Sequence, residues 1–530
     1  MHDTTPTKAG RREWIGLAVL ALPALLTSLD IGALFLALPH LTADLNASTT
    51  QQLWITDIYG FLIAGFLITM GSLGDRIGRR RLLLIGAVVF GISSVLAAYS
   101  TTPEMLIATR ALLGIAAATL MPSVLALITN MFTNPAERGK AIAILMSCLM
   151  TGSALGPVVG GLLIERFWWG SAFLLGVPAM VILLILGPIL LPEYRPPTAG
   201  RLDLTSVVLS LAAILPIIYG LKELAVHGAD ALAASVGAIV VGAIFAFLFI
   251  RRQLTLDGPL VDLRMFHNRA FSVTLTAMLL ASAGMGGTFL LTSQYVQSVL
   301  GLSPSQAGLW LAPAGLGIAV GSLLSPMLLK YMQQGSAMAA GLVVAAIGYL
   351  LLVPIRSGGG LALAVIGLAV IHLGAGPLFA LGASLVVGSV PPERAGSAAS
   401  MSETSNYLGT TLGMAFLGTI GAAIYSRLVV DHVPADLPAQ AAETARETLA
   451  GAVSVAGQLP GGAAAELLQH ARESFTTGLN TAAVVGLVLS VVLAAMIGVM
   501  HRTRGAAEPA TPASTTPDED APLTGTANRP

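Results

Sequence analysis

The chain has 530 residues, 55% of them hydrophobic and only 10% charged, with a mean hydropathy of +0.82 and a formal net charge of zero. A soluble globular domain carries about 25% charged residues, so the composition excludes one and defines an integral membrane protein. The single cysteine, Cys148, excludes an intrachain disulfide, and nothing in the charge balance points to a nucleic-acid partner.

Apolar runs of about 20 residues, enough to cross a hydrocarbon core of about 30 Å as helix, recur along nearly the whole chain. Helices are the expected elements because backbone groups in lipid must be satisfied within their own segment. The opening MHDTTPTKAGRREW lacks a cleavable-signal pattern, so the first run is expected to be retained as a span. Fourteen candidate spans follow in order: 14–39, 53–74, 82–100, 104–128, 140–164, 170–191, 204–222, 232–250, 271–297, 305–329, 336–353, 361–388, 398–426 and 475–500. Residues 427–474 form a polar connection whose helix-prone pieces, parted by Pro460-Gly461-Gly462, suggest a helical hairpin, and 501–530 reads as a disordered tail.

Even span number places both ends on one side, and Lys and Arg decide which. Most of the 27 lie on the side of the N-terminus, including Lys8, Arg11, Arg12, Arg76, Arg79, Arg80, Arg81, Arg138, Lys140, Arg251 and Arg252; the opposite side holds Arg166, Lys222, Arg356, Arg427, Arg446 and Arg472. Both termini are therefore expected in the cytoplasm and the 427–474 connection outside.

Three local patterns carry more information than hydropathy. Gly71-Ser-Leu-Gly-Asp75-Arg-Ile-Gly78-Arg79-Arg80-Arg81 occupies the short turn after the second span; glycine permits a tight turn, Asp75 can accept from helix-end amides or an arginine, and the cations anchor the turn. In the fourth span, Arg110 lies four residues before Gly114. An intramembrane arginine needs a partner or water, or else snorkels to the headgroups. The fifth span carries Gly152, Gly156, Pro157, Gly160 and Gly161, a close-packing stripe with a proline that removes a backbone donor, as a hinge or close-fitting gate would use.

In this order, the three patterns resemble the signature motifs of the drug:proton antiporters of the major facilitator superfamily. Leu29-Asp30 with Ala37-Leu38-Pro39, Trp54-Ile-Thr-Asp57-Ile-Tyr59 and Ser293-Gln294-Tyr295-Val296-Gln297 are similar to the fourteen-span branch, and in particular to the QacA-like quaternary ammonium efflux pumps. The resemblance implies an all-α major facilitator fold with a short cytoplasmic N-terminus (1–13), a six-helix bundle over 14–191, two inserted helices within 192–270 and a second bundle over 271–500. It also implies a multi-pass protein of the plasma membrane, here a bacterial inner membrane, acting as a monomer. A proton gradient would supply the energy, with no cofactor, and no GxxxxGK[ST] loop suggests ATP drive.

Ionisable residues within apolar spans are the natural site candidates. A charged carboxylate at mid-membrane costs about 2.5–3.5 kcal/mol on insertion scales, enough to move a carboxylic acid about two pKa units toward neutrality, where proton and cation compete. Asp30 is expected in the outer half of the first span, Asp57 nearer the outer surface and wetted by headgroup water or joined to the site, and Glu403 at the start of the thirteenth span, as a helix-start glutamate or a cavity acid. The resemblance assigns Asp30, Asp57 and Glu403, with Arg110, to proton coupling and cation binding. Tyr59, Tyr295, Tyr407 and Asn406 are expected to line the cavity, where aromatic faces would cradle a lipophilic cation. Ile318 and Tyr407 replace acids of the best-known multidrug relative, which favours monovalent cations. His372 is expected to be a buried hydrogen-bonding residue rather than a proton carrier. The expected activity is proton-coupled export of lipophilic cations; export of a neutral or anionic metabolite, peptide or lipid on the same fold, and a non-transporting receptor or scaffold, remain the alternatives.

Overall fold

The computed structural model describes residues 9–193, 203–227, 231–256, 259, 263–389, 395–434 and 437–505. Residues 1–8 and all of the expected tail beyond 505 lie outside them. Apart from one isolated bridge between Arg356 and Gly359, regular structure among the described residues is helical. The helices are α1 (Arg11–Leu45), α2 (Thr49–Ile77), α3 (Arg79–Ala98), α4 (Pro103–Met131), α5 (Pro135–Arg166), α6 (Ser171–Leu174), α7 (Gly176–Leu190), α8 (Leu204–His227), α9 (Leu232–Thr255), α10 (Arg269–Gln294), α11 (Pro304–Leu328), α12 (Gln334–Leu352), α13 (Leu361–Gly388), α14 (Ala395–Val429), α15 (Ala439–Glu447), α16 (Leu449–Ala456) and α17 (Gly461–Gly505). Twelve helical stretches among the described residues are long and apolar enough to cross a membrane, so the protein is a multi-pass membrane protein. The long helices α2 and α8, of 29 and 24 residues, lie alongside them.

Local chemistry sets several helix starts. Ser48 and Gln51 cap each other at the start of α2, as Ser303 and Gln306 do at α11, and Thr102 caps α4 ahead of Pro103; each satisfies amides that the first turn would otherwise leave unpaired. Gly78 joins α2 to α3 at φ +108°, ψ 135°, a conformation reserved for glycine. Gly78→Ala is expected to cost about 1–3 kcal/mol, read as a lower Tm in detergent.

The end of the bundle where α1 begins is here called the near end, and that of the α1–α2 turn the far end. Between helices in lipid, close backbone approach replaces hydrophobic driving force, and glycine supplies it. In the first set of helices, α5 lies along α1: a Cβ on Gly152 would stand 2.9 Å from Ser28 Cβ, and one on Gly156 3.0 Å from the Leu29 carbonyl oxygen. In the second set, α10 packs on α14 and α11 on α13.

The two sets meet along two seams. In one, Gly60 of α2 abuts Thr411 of α14; in the other, Gly161, Pro157 and Ala154 of α5 abut Pro304, Gly308 and Gly315 of α11. Across the centre, Ser293 Oγ and Gln297 Nε2 donate to the Phe35 carbonyl at 3.2 and 3.5 Å. The α5–α11 contacts lie in the far halves of those helices. Beyond Gly315, α11 turns Gly317 and Gly321 toward α13 instead. The bundle is closed at the far end. A Cβ on Gly161 would strike the Pro304 backbone, so Gly161→Val is expected to weaken that closure. In a Cys148→Ser, Ser293→Cys background, a water-soluble maleimide should then label position 293 several-fold faster than without the Gly161 change.

The inserted pair α8–α9 packs on α2 and α14 through α8 alone, with Phe61, Ile218 and Ala415 buried between them. At its near end Arg252 holds Asp203 through Nη2 at 2.8 Å and Nε at 3.2 Å, and Gln253 Nε2 donates to Ser206 Oγ at 2.6 Å.

The 427–474 connection is helical on both sides of Pro460, and α16 packs on α17. Its first piece is two short helices, α15 and α16, and its second is the opening of α17, which runs unbroken for 45 residues. Gly461 and Gly462 open that helix, directly after the turn that ends at Pro460. α15 and α16 form a cap over the far end: Tyr425 Oη donates to the carbonyls of Ala445 and Thr448, at 2.8 and 3.1 Å, and Thr49 Oγ1 to that of Glu447, at 2.8 Å.

Candidate functional site

The centre of the first set of helices is built around Arg110. α4 carries it against α1 and α2, where Nη1 donates to Asp30 Oδ2 at 3.0 Å and Nε to the Ile55 carbonyl at 3.3 Å. The guanidinium stands 4.4 Å from the centroid of the Tyr59 ring and 5.8 Å from that of Phe173. Its side chain is 1% exposed and that of Asp30 12%. Snorkelling to the headgroups is therefore excluded. The close approach that places Arg110 comes from the next turn of α4, where a Cβ on Gly114 would stand 2.6 Å from the Tyr59 carbonyl oxygen.

This pair changes the physics expected of Asp30. A guanidinium at hydrogen-bond distance supplies the counter-ion that a largely buried carboxylate needs. Asp30 is thus a paired charge with a small opening to its surroundings, not an isolated acid in apolar surroundings.

Of the two positions open to Asp57, at the interface wetted by headgroup water or joined to the site, the interfacial one does not hold. Asp57 is fully buried, and Thr56 Oγ1 donates to its Oδ1 at 3.2 Å; α2 starts at Thr49 under the cap, which shields the position from headgroup water. Tyr59, two residues onward in α2, is 2% exposed, and its hydroxyl has no hydrogen-bond partner among the described residues. Its ring lies under the Arg110 guanidinium, and its neighbour Gly60 abuts Thr411 of α14, whose hydroxyl donates to the Tyr407 carbonyl one turn away, so both tyrosines lie at the join between the two sets of helices.

From the second set, α14 contributes Glu403 and, four residues later on the same helical face, Tyr407. Glu403 is half-buried, well inside the helix that begins at Ala395, so it is not a helix-start glutamate. No ion-pair or hydrogen-bond partner is found for its carboxylate among the described residues. Asn406, one residue before Tyr407, accepts from Ser282 Oγ of α10 at 2.7 Å, which fixes α14 on α10 and leaves the amide nitrogen for other partners.

Tyr295 does not join this group. It is fully buried where α10 ends in a π turn, and its hydroxyl donates to the carbonyls of Arg356 and Gly359, at 2.8 and 3.0 Å, tying down the α12–α13 loop. Its placement in the cavity is corrected: the extra residue of the π turn rotates the ring toward that loop. His372 lies in α13, with Nδ1 2.9 Å from the Leu368 carbonyl oxygen and its ring edge-on to Phe289 at 6.0 Å; Phe289 in turn meets Phe35 at 5.1 Å. That environment is what a structural histidine needs.

The near-end turn supports its reading as an anchor. Arg80 donates to the carbonyls of Pro188 and Leu191, at 3.3 and 2.9 Å, and with Arg81 faces Glu193, at 3.6 and 3.9 Å. Arg79 Nη1 reaches the Pro122 carbonyl of α4 at 3.5 Å, and Gly71 faces the same proline. The side chain of Asp75 lies outside the described residues. Along α5, Gly152, Gly156 and Gly160 serve α1 while Pro157 and Gly161 serve α11, so one stripe joins both sets of helices. Residues that sequence reasoning missed are Phe173 and the Ile55 carbonyl at Arg110, and Thr411 opposite Gly60. None carries a motif; only the folded proximity reveals them.

Helices packed through glycine stripes, with a paired charge at their centre and an unpaired acid across the join, define a membrane transporter. The family model described as Major Facilitator Superfamily matches residues 20–414, and the chain belongs to that superfamily. Among curated relatives, it is 43% identical over 498 residues to the multidrug efflux pump LfrA of Mycolicibacterium smegmatis, covering 94% of this chain and 97% of that one. It is 32% identical over 502 residues to the methyl viologen resistance protein SmvA of Salmonella typhimurium, covering 91% and 97%. The crystal structure of a bacterial homologue of the human lysosomal transporter Spinster shares the fold, with a TM-score of 0.63 at 15% identity over 93% of this chain and 99% of that one.

Proposed function

We propose that the protein is a proton-coupled exporter of lipophilic organic cations, working by alternating access with fourteen membrane crossings and both termini in the cytoplasm. The observation that carries this reading is an asymmetry of charge. Asp30 already has its counter-ion in Arg110, at 3.0 Å, while Glu403, across the join, has none among the described residues. A tyrosine accompanies each: Tyr59 lies under the Arg110 guanidinium, and Tyr407 is one turn from Glu403 on α14. A monovalent cation placed on Glu403 gains a charge-assisted contact and aromatic faces; a proton on the same carboxylate removes that contact. One site that holds either proton or cation, but not both, suffices for antiport. The relatives described as a multidrug efflux pump and a methyl viologen resistance protein support export as the direction.

The anionic-substrate alternative asks for an unpaired cation at the centre, and Arg110 is spent on Asp30 and Ile55. In this reading Asp30, Arg110 and Asp57 set the shape and charge of the first half, Glu403 exchanges proton for cation, and Asn406 positions α14. The test is purified protein in proteoliposomes: an imposed pH gradient should drive tetraphenylphosphonium accumulation against its own gradient, with matching proton release. Flux of uncharged solutes alone, with no response to cations, overturns the proposal.

A further inference from the structure

We propose, resting on the orientation of that export reading, that His432 and His470 form a clasp at the root of the far-end cap, which acid on the outer side opens. The pair stands apart from the central site. His432 ends the single helical turn Val430–His432 that follows α14, and His470 lies early in α17. Their rings stack, with centroids 3.8 Å apart and planes within 25° of parallel. Between these two residues the chain runs out through α15 and α16 and back into α17, so the stack ties the outgoing limb of the cap to the returning one.

His432 is exposed and His470 half-buried, so protons from solvent reach both. Histidine changes charge between about pH 5 and 8. A single proton on the pair has an answer, because His470 Nδ1 lies 3.8 Å from Glu473 Oε2. A second proton puts two imidazolium rings in contact, and like charges at that distance repel. The stack then parts. His432 Nδ1 also lies 3.3 Å from the Leu428 carbonyl oxygen, which holds that ring to its own limb when it leaves His470. Of the groups charged in this range on the elements packed around the pair, α14 brings Arg427, the His432 turn Asp431, and α17 Glu466, Arg472 and Glu473; α10, α12 and α16 bring none to this end. α15, which packs on α14 and α16, carries Glu443, Arg446 and Glu447. Among the described residues, Glu473 is the one acid within ion-pair distance of either ring. In the export reading the driving gradient is acid on the side of the cap, so the gradient that powers transport also loosens the cover of its exit.

Hydrogen–deuterium exchange of the full-length protein in detergent gives the test. Amides of α15, α16 and α12 are followed at about pH 7.5 and about pH 5.5, either side of the histidine range midpoint, each rate being divided by that of the unstructured chain at the same pH. In the unaltered protein the cap is expected to exchange several-fold faster in acid, with α12 unchanged. In His432→Phe with His470→Phe, whose rings stack and carry no proton, the two rates should coincide. In His432→Lys with His470→Lys, which fixes both charges, the cap should already be fast at the higher pH. No acid response in the unaltered protein, an equal response in the phenylalanine pair, or a lysine pair as slow as the unaltered protein overturns the clasp. Exchange needs no gradient, so the clasp can fall with export standing; failure of gradient-driven transport overturns the export reading while exchange still decides the clasp.

Discussion

Glu403→Gln is expected to abolish gradient-driven accumulation while leaving the folded protein intact. Glutamine keeps the shape and the half-buried position in α14, and no partner among the described residues is lost with the charge, so the thermal transition should stay close to that of the unaltered protein. What disappears is the charge-assisted contact to the cation. A hydrogen bond or contact to a charged group is worth about 1.5–3 kcal/mol, or roughly one to two decades in Kd at 1.4 kcal/mol per decade. Tetraphenylphosphonium binding should weaken by about 10- to 100-fold. The dependence on pH should change in kind: in the unaltered protein affinity rises with pH because deprotonation creates the cation's partner, and in Glu403→Gln that slope should vanish. Binding titrations at three pH values check this. An unaltered slope would move the exchanging carboxylate elsewhere, with Asp30 the next candidate.

Arg110→Met is expected to cost more in stability than any other single change at the centre. The guanidinium is 1% exposed and Asp30 has only a narrow opening, so removing the cation strands a carboxylate in apolar surroundings; breaking a buried pair in this way costs about 3–5 kcal/mol. Asp30→Asn alone strands the guanidinium, with Ile55 and the Tyr59 ring as its remaining contacts. The double substitution removes both charges and should recover much of the loss, since a neutral pair avoids the desolvation penalty altogether. Thermal unfolding of the two single variants and the double variant in detergent measures this coupling. Additive losses would mean that the 3.0 Å contact carries little energy.

The elements that were legible in the sequence are those whose signal is local. Hydropathy marked the long helices because lipid punishes polar side chains one at a time, and the bounds of α13 fall where the apolar run itself ends, 361–388. Where helix outlasts hydrocarbon, the reading fell short. α1 continues six residues past Pro39 and α17 begins fourteen before 475, because capping and contacts with the far-end cap sustain helix beyond the apolar run. Arg110 was marked as needing a partner, and Asp30 as needing a reason, but the residues are 80 positions apart. Nothing in either neighbourhood says that α4 and α1 converge. Tyr295 was placed in the cavity because its side chain would suit one, but the π turn at the end of α10 and the bond of its hydroxyl to the α12–α13 loop are tertiary facts. Burial of Asp57 under the cap likewise decides between two positions that its neighbourhood in sequence left open.

The cap over the far end hangs unequally. Tyr425 binds it twice from α14, and α17 continues directly from it, so its hydrogen bonds among the described residues lie mainly with the second set of helices, with the Thr49 hydroxyl reaching it from the first. At about 1.5 Å per residue, α17 is a rod of roughly 68 Å with the cap at its head. When the far end opens, the cap should travel with the second jaw, as a visor fixed to one half of a helmet. The outward door then unlatches at Thr49, on the edge away from its hinge.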